Sequence, residues 1–371
     1  MSRYRFELAG PADDADLRRV LAATPMAGNV AVAFQREPSY FAGGRVEGRF
    51  RQIVACRDTE SGRIVGFGVR SASSRYVNGR PESVGYLSTL RLLGEHRNRG
   101  LVARGYAFFR RLHADGQARL YLTTIAEGNT TALTQLTSGR AGLPAYHDAG
   151  RYHTAAIPLT RRPVRRAAAS GLEIRPARRD DVGSVLAFLR EHGPRRQFFP
   201  AYEEEDFVGE TGVFKDLRPG DVLLAFRGGA LVGTLAGWDQ HGFRQTVVHG
   251  YGGPLHWARP AYNAWAWLRG LPPLPPPGGA VRYLTAALPV VAGDDAAVFA
   301  ALLAELRARS AGAPHDYLML GLHESDPLLP VVRVCSATWY DTRLFLVCWD
   351  DGESMRRGLD GRPPYLELGC L

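Results

Sequence analysis

Fifteen residues, Leu90 to Arg104, read LRLLGEHRNRGLVAR. An apolar stretch closes, a basic turn follows, and helical spacing of Leu101, Gly105, Phe108, Phe109 and Leu112 begins at Gly100. The first N–H groups of a helix have no partner within it and carry a partial positive charge. Arg97 and Arg99 add two guanidiniums whose forked donors suit a phosphate or pyrophosphate. Gly100 would let a ligand approach the backbone closely. The chemistry on offer is anion binding. A basic loop that merely caps a helix in solvent is the other reading of the same residues.

The common catalytic signatures are absent: no Gly-x-Ser-x-Gly elbow, no Walker A loop, no His-Glu-x-x-His and no Gly-x-Gly-x-x-Gly after a strand. Cys56, Cys335, Cys348 and Cys370 show no Cys-x-x-Cys spacing, which predicts reduced and mostly buried thiols. His96, His113, His147 and His153 lack metal-ligand spacing and read as structural or surface histidines. No metal is expected.

The elements that must position the basic turn follow from periodicity. Tyr4–Leu8 reads as a strand, and Leu17, Val20 and Leu21 as one face of a helix after Asp13 and Asp14. A long strand over Val84–Leu93 leads into the turn. A helix from about Gly100 to His113, a strand over Leu120–Ala126 and a short helix with Ala132, Leu133 and Leu136 follow. Arg161 to Gly171 reads as a basic, small-residue linker, placed within 159–171. Beyond it the chain starts again with a strand, LEIRPA, and a helix buried through Val182, Val185, Leu186 and Leu189.

That restart suggests an internal repeat. Arg63–Gly68 matches Ala230–Leu235, Tyr86-Leu-Ser-Thr matches Tyr283-Leu-Thr-Ala, and Tyr121-Leu122 matches Tyr317-Leu318, in the same order. The expectation is two α/β units, 1–158 and 172–371. The second carries an insert at about 241–280, rich in Tyr and Trp, that ends in a proline run and reads as a packed cover. A length of 371 residues suits two domains, and 45% hydrophobic with 22% charged residues suits ordinary globular cores. No apolar run approaches the roughly 20 residues that span a bilayer, and no secretion signal opens the chain, so a cytoplasmic protein without a membrane partner is expected. The net charge of +9 is uneven: residues 1–170 hold 26 Arg against 13 acids, and residues 171–371 hold 20 bases against 24 acids. An anionic partner for the first unit is implied. Nucleic acid is not favoured, because the bases are scattered and no aromatic-basic alternation occurs.

The segment resembles motif A of the GCN5-related N-acetyltransferase family, in which an apolar strand residue is followed five positions on by Arg or Gln, then x-x-Gly-x-Gly/Ala. Here Leu92 is followed by Arg97, Asn98, Arg99, Gly100, Leu101 and Val102. The family's next motif, a strand and then Asn-x-x-Ala, is matched by Leu120–Ala126 and Asn129 to Ala132. With the opening strand and helix, the resemblance covers residues 1–158. It implies an α/β (α+β) fold of two tandem units, each a mixed, mostly antiparallel twisted sheet flanked by helices. Tandem members of the mycothiol synthase or Eis-like type are similar. Two departures stand out: Val102 replaces the usual Gly or Ala, and Leu136 stands where the family often has a general-acid tyrosine.

The resemblance implies transfer of an acetyl group from acetyl-CoA, as co-substrate, to an amine. Backbone N–H groups of Arg97 to Ala103 (Arg97, Asn98, Arg99, Gly100, Leu101, Val102, Ala103) would hold the pyrophosphate. Leu90, Arg91 and Leu92 would pair with the pantetheine arm, an N–H near Leu92 would polarise the thioester carbonyl, and Asn129 would bond the pantetheine. Tyr146 is the candidate general acid; Glu82 and Glu127 are the candidate bases; Glu37 and Tyr40 are expected to shape the acceptor site. Aligning the repeats on Tyr86 and Tyr283 sets Arg97 on Asp294, Asn98 on Asp295 and Gly100 on Ala297, so the second unit is expected to have lost its cofactor site. The acceptor, a small-molecule amine or a peptide, and the oligomeric state stay open. A non-catalytic acetyl-CoA-binding or sensing module is the alternative.

Overall fold

The computed structural model describes residues 2–139, 142–160, 171–207 and 212–371. Most of the linker expected at 159–171 lies outside the described residues. The first half opens with β1 (Tyr4–Leu8) and α1 (Asp14–Ala22), whose Leu17, Val20 and Leu21 are buried as their spacing requires. β2 (Val30–Gln35), β3 (Phe50–Asp58), β4 (Ile64–Val77) and β5 (Arg80–Leu92) follow. β5 starts four residues before the expected Val84. The reason is the two-residue turn Asn78-Gly79, where φ is +51° and +80°, a hairpin geometry that extends the ladder to Val77↔Arg80. Then come α2 (Leu101–His113), β6 (Leu120–Ala126), α3 (Thr130–Leu136) and β7 (Ala145–Pro158).

The second half runs β8 (Leu172–Pro176), α4 (Val182–His192), β9 (Val222–Arg227), β10 (Ala230–Trp238), β11 (Gln245–Tyr251), α5 (Leu255–Arg269), β12 (Ala280–Val281), β13 (Tyr283–Val291), α6 (Ala296–Ser310), β14 (Tyr317–His323), α7 (Leu329–Arg333), β15 (Thr338–Cys348) and α8 (Glu353–Arg357). The insert carries regular elements of its own. β11 pairs antiparallel with β2 of the first half, and with β12 the three form a small second sheet. α5 buries only Ala266, while Trp257 and Trp267 are 83% and 74% exposed, so its aromatics do not act as a packed cover.

Twelve strands form one sheet in the order β1-β3-β4-β5-β6-β15-β7-β14-β13-β10-β9-β8. Only β5–β6 and β13–β14 are parallel; every other pairing in this sheet is antiparallel. The centre is an exchange. β7, from the first half, pairs with β14 over Tyr152–Pro158, while β15, from the second, inserts between β6 and β7. Each half thus finishes the other's ladder. Apolar clusters pack on both faces: α2 covers Val54, Leu87, Tyr121 and Phe345, and α6 covers Leu235, Leu284 and Leu318. α2 is tied down from below by Arg70, which is 1% exposed. Its guanidinium donates to the Leu112 carbonyl, the Tyr121 hydroxyl and both oxygens of Asp115 (2.7 and 2.8 Å). A buried guanidinium held by a carboxylate and three further acceptors, Gln52 among them, is costly to break, about 3–5 kcal/mol.

Candidate functional site

The two halves superpose through their backbone irregularities. Thr89 in β5 and Leu288 in β13 both take φ near +55° (53° and 55°), each where the ladder to the preceding strand skips a residue. Gly66, opposite Leu92, then corresponds to Gly233, opposite Val291, as the Arg63–Gly68 match requires. Tyr86 corresponds to Thr285, however, so the alignment on Tyr86 and Tyr283 is two residues out of register, and Tyr121 falls on Leu318. Tyrosines at similar spacing misled because they face different neighbours. The turn before α6 is also shorter than that before α2, so Asp295, not Ala297, stands where Gly100 stands.

Around Gly100 the geometry is open. Gly100 caps α2 at φ 67° with no side chain, and a Cβ built there would meet nothing within 4 Å. Asn98, at φ 60°, sits in the same left-handed region two residues earlier. Arg97 and Arg99 are exposed. The Arg97 guanidinium has no hydrogen-bond partner among the described residues, and Arg99 reaches only the Glu95 carbonyl at 3.4 Å. Val102 packs partly into the apolar cluster beneath α2, which explains how a side chain larger than Gly or Ala is accommodated.

Beside this turn β5 leaves β6. Their ladder has two rungs, Gly85↔Tyr121 and Tyr86↔Leu122, and the last link is the Thr123 hydroxyl on the Leu87 carbonyl at 2.8 Å. β6 continues to Ala126 on β15, so Leu90, Arg91 and Leu92 have no strand on that side. Leu90, Leu92, Leu101, Val102, Tyr106 and Phe109 line a small apolar pocket between β5 and α2. At the open end of β6, Asn129 caps α3 by accepting the Ala132 N–H at 3.1 Å, which leaves its amide N–H groups to donate elsewhere.

The expected acid and bases are not gathered as a set. Glu82 lies beside the hairpin turn, opposite Arg75 and eight residues from Leu90, or about 25 Å along the strand. It cannot serve the cleft at Leu90–Leu92. Glu127 does lie at the open end, ion-paired with Arg151 at 2.7 Å. The Tyr146 hydroxyl is bonded to that of Tyr106 on α2, and burial followed by Tyr106 raises it well above 10; burial, opposed in part by the bond to Tyr146, brings Tyr106 to about 12. Tyr106, unmarked in the sequence, is the member of the pair that lines the pocket. Leu136 is buried in the same cluster, so Tyr146 packs where Leu136 cannot supply a hydroxyl. Tyr40 is buried, whereas Glu37 is turned outward to Arg18 at 2.6 Å.

The second half closes the corresponding features with its own residues. The Asp295 carboxylate accepts the N–H groups of Ala297 and Val298, at 2.9 and 3.2 Å. Arg196 joins Asp294 (2.6 Å) to Asp326 (3.2 Å), and Asp326 is the counterpart of Asn129, so a guanidinium spans the space between the α6 turn and the end of β14. The backbone N–H of Leu288 is taken by the buried Glu367 carboxylate at 3.1 Å. Arg196 and Glu367 carried no sequence signal, because the contacts by which they close these features, to Asp294, Asp326 and Leu288, lie 79 to 130 residues away.

All four cysteines are free. His113 bridges Tyr121 and Asp351, and His153 meets Asp341. His147, Cys348 and Glu353 place ligand atoms within 4.8 Å of one another, but burial raises the Cys348 thiol to about 11 and Glu353 is held by Arg356 and Arg357. Among the described residues no helix is long and apolar enough to cross a membrane.

No family model matches the chain, and no curated protein matches its sequence. Solved structures do resemble it. N-myristoyltransferase of Saccharomyces cerevisiae, determined with bound myristoyl-CoA, has a TM-score of 0.64 at 10% identity, covering 94% of this chain and 79% of that one. A GCN5-related N-acetyltransferase of Sphaerobacter thermophilus has a TM-score of 0.56 at 14% identity, covering 100% and 99%. The GCN5-related glucosamine N-acetyltransferase region of a fungal multi-domain GH3 β-N-acetylglucosaminidase has a TM-score of 0.63 at 13% identity and covers 92% of this chain; the match spans 38% of that longer protein. The fold, a large mostly antiparallel sheet flanked by helices, therefore matches that of the GCN5-related N-acetyltransferases.

Proposed function

We propose that the chain is an acyl-CoA-dependent N-acyltransferase, with acetyl-CoA as the first donor to test and an amine as acceptor. One observation carries the reading: an uncapped, arginine-flanked helix N-terminus lies directly beside a strand edge that has no partner. The N–H groups of Arg97 to Ala103, with Arg97 and Arg99, suit a pyrophosphate. Leu90 to Leu92 offer backbone groups to an extended amide-bearing arm, and the Asn129 amide can donate to the same arm. A donor so held brings its thioester to the open end of the cleft, where placement beside the amine supplies much of the acceleration. Glu127 is the carboxylate we assign to proton uptake there, and the Tyr146–Tyr106 pair is our candidate for the thiolate's proton. The structural likeness to N-acyltransferases and to a protein holding myristoyl-CoA supports the donor class.

We assign the donor to the first half alone, since Asp295, Arg196 and Glu367 fill the second. One working unit and one closed unit would resemble tandem enzymes of the mycothiol synthase or Eis-like type. A second reading, a module that binds acyl-CoA without turnover, is favoured by Leu136 at the tyrosine position and by the remoteness of Glu82. Time-dependent release of CoA from acetyl-CoA or a longer acyl-CoA in the presence of amines decides between them. Release that requires both amine and protein supports the enzyme. Tight donor binding without release under any amine supports the module.

A further inference from the structure

On the face of the sheet opposite α2, three guanidiniums share one carboxylate and a fourth lies near them. Glu47 is met by Arg51 at 2.9 Å, Arg244 at 3.1 Å and Arg36 at 3.4 Å. Burial alone would raise the Glu47 carboxyl, yet Arg51, Arg244 and Arg36 override it and hold it at about 2. The fourth, Arg91, belongs to β5 between Leu90 and Leu92 and pairs with Phe67, whose ring packs on Tyr40. Tyr40, Tyr340 and Arg36 are the ionisable groups around it. Among the described residues, Glu47 is the only carboxylate in contact with any of the four.

The enclosure is therefore over-supplied with positive charge and with donors. The Nε atoms of Arg91 and Arg244 are buried without a hydrogen-bond partner, whereas the Nε of Arg51 lies 2.9 Å from Glu47. Arg244 is 8% exposed, and burial together with Arg36 pushes it down to about 10. Burial also lowers Arg91. A purely structural ion cluster satisfies its donors and balances its charge, because unpaired buried charge is destabilising by several kcal/mol. This cluster does neither, and it keeps a way in. Tyr340 at its rim is 42% exposed, and Glu47 also lines a cavity with Ser73, Arg75, Tyr202 and Cys370.

We propose that this cluster is the acceptor's anchor and that the acceptor is an amine carrying an oxyanion, a carboxylate or a phosphate, held by Arg36, Arg51, Arg91 and Arg244. The inference rests on the acyltransferase reading, since Arg91 lies on the strand assigned to the donor and places the anchor beside it. Forked guanidiniums accept either oxyanion in a bidentate manner. Glu47 spaces the arginines and limits their mutual repulsion.

The test compares matched amines: glycine with glycinamide, 4-aminobutyrate with butylamine, and phosphoethanolamine with ethanolamine. The anionic member of at least one pair should exceed its neutral partner at least tenfold in kcat/KM by CoA release. Arg36→Gln and Arg91→Met should each erase most of that preference through KM. The pairs separate carboxylate from phosphate recognition. Equal or better use of every neutral partner overturns the proposal while leaving acyl transfer standing. If no amine is acylated, a binding arm still decides. In Gly100→Asp protein, where the α2 anion site is blocked, inorganic phosphate should raise the Tm relative to chloride at equal ionic strength. Adding Arg36→Gln should remove that rise. No rise, or a rise indifferent to both Arg36→Gln and Arg91→Met, overturns the anchor.

Discussion

Gly100 and Asp295 stand at the same place in the two halves, the N-cap of the helix that follows the kinked strand. Gly100 leaves the N–H groups of α2 open. Asp295 fills those of α6 with its own carboxylate, and Arg227 holds that carboxylate at 3.1 Å. A single side chain thus separates an open helix N-terminus from a self-capped one.

Calorimetric titration with acetyl-CoA should give one site per chain. Gly100→Asp should weaken it by about fivefold or more, because a carboxylate facing a pyrophosphate is repelled by roughly 1 kcal/mol or more even in water. Two sites per chain would sink the assignment of the donor to the first half.

Arg97→Gln and Arg99→Gln should each cost the donor about three- to tenfold in affinity, as expected for exposed charge-assisted contacts. The wild-type affinity should fall as salt is raised, and the double variant should be nearly insensitive to it. Unchanged affinity in the double variant would leave the helix N-terminus without its two guanidiniums as partners.

Arg196→Met should destabilise the chain by about 3 kcal/mol in urea unfolding, since it strands the buried Asp326 beside Asp294. Donor stoichiometry should remain one, as Asp295 still caps α6. A loss below 1 kcal/mol would mean the guanidinium is not the closure described above.

Glu367 gives a pH signature. Burial, opposed by hydrogen bonds from Tyr365, Leu288 and Tyr202, raises its carboxyl from 4.5 to about 7. The folded state therefore holds this proton more tightly than the unfolded state. Its contribution is complete below about 4.5 and is lost as pH rises to about 7, on the order of 3 kcal/mol in all. Glu367→Gln should match the wild type near pH 4.5 and be more stable at pH 8, as measured by Tm. A variant less stable at pH 8 would show that the charged carboxylate is favourable there.

Much of this was legible in local sequence. The burial stripe of α1, the bounds of β1 and β6 and the start of α2 at a glycine all follow from spacing and residue type. The register between the repeats was not. Tyr86 and Tyr283 look alike, but the Thr89 and Leu288 kinks show them to be two residues apart, and a kink is set by cross-strand packing. Glu82 illustrates the same limit: its distance from the cleft depends on where the Asn78-Gly79 turn sends the strand.

By itself the sequence determined the elements, the basic turn and its suitability for an anion, because helix spacing, capping and charge act within a few residues of one another. Only the tertiary structure decided that β7 and β15 trade places, that Arg196 and Glu367 close the second half, and that Arg36, Arg51 and Arg244 converge on Glu47 with Arg91 near them. Those contacts join residues as far as about 200 positions apart, and they are selected by the packing of two sheet faces, which no local pattern encodes.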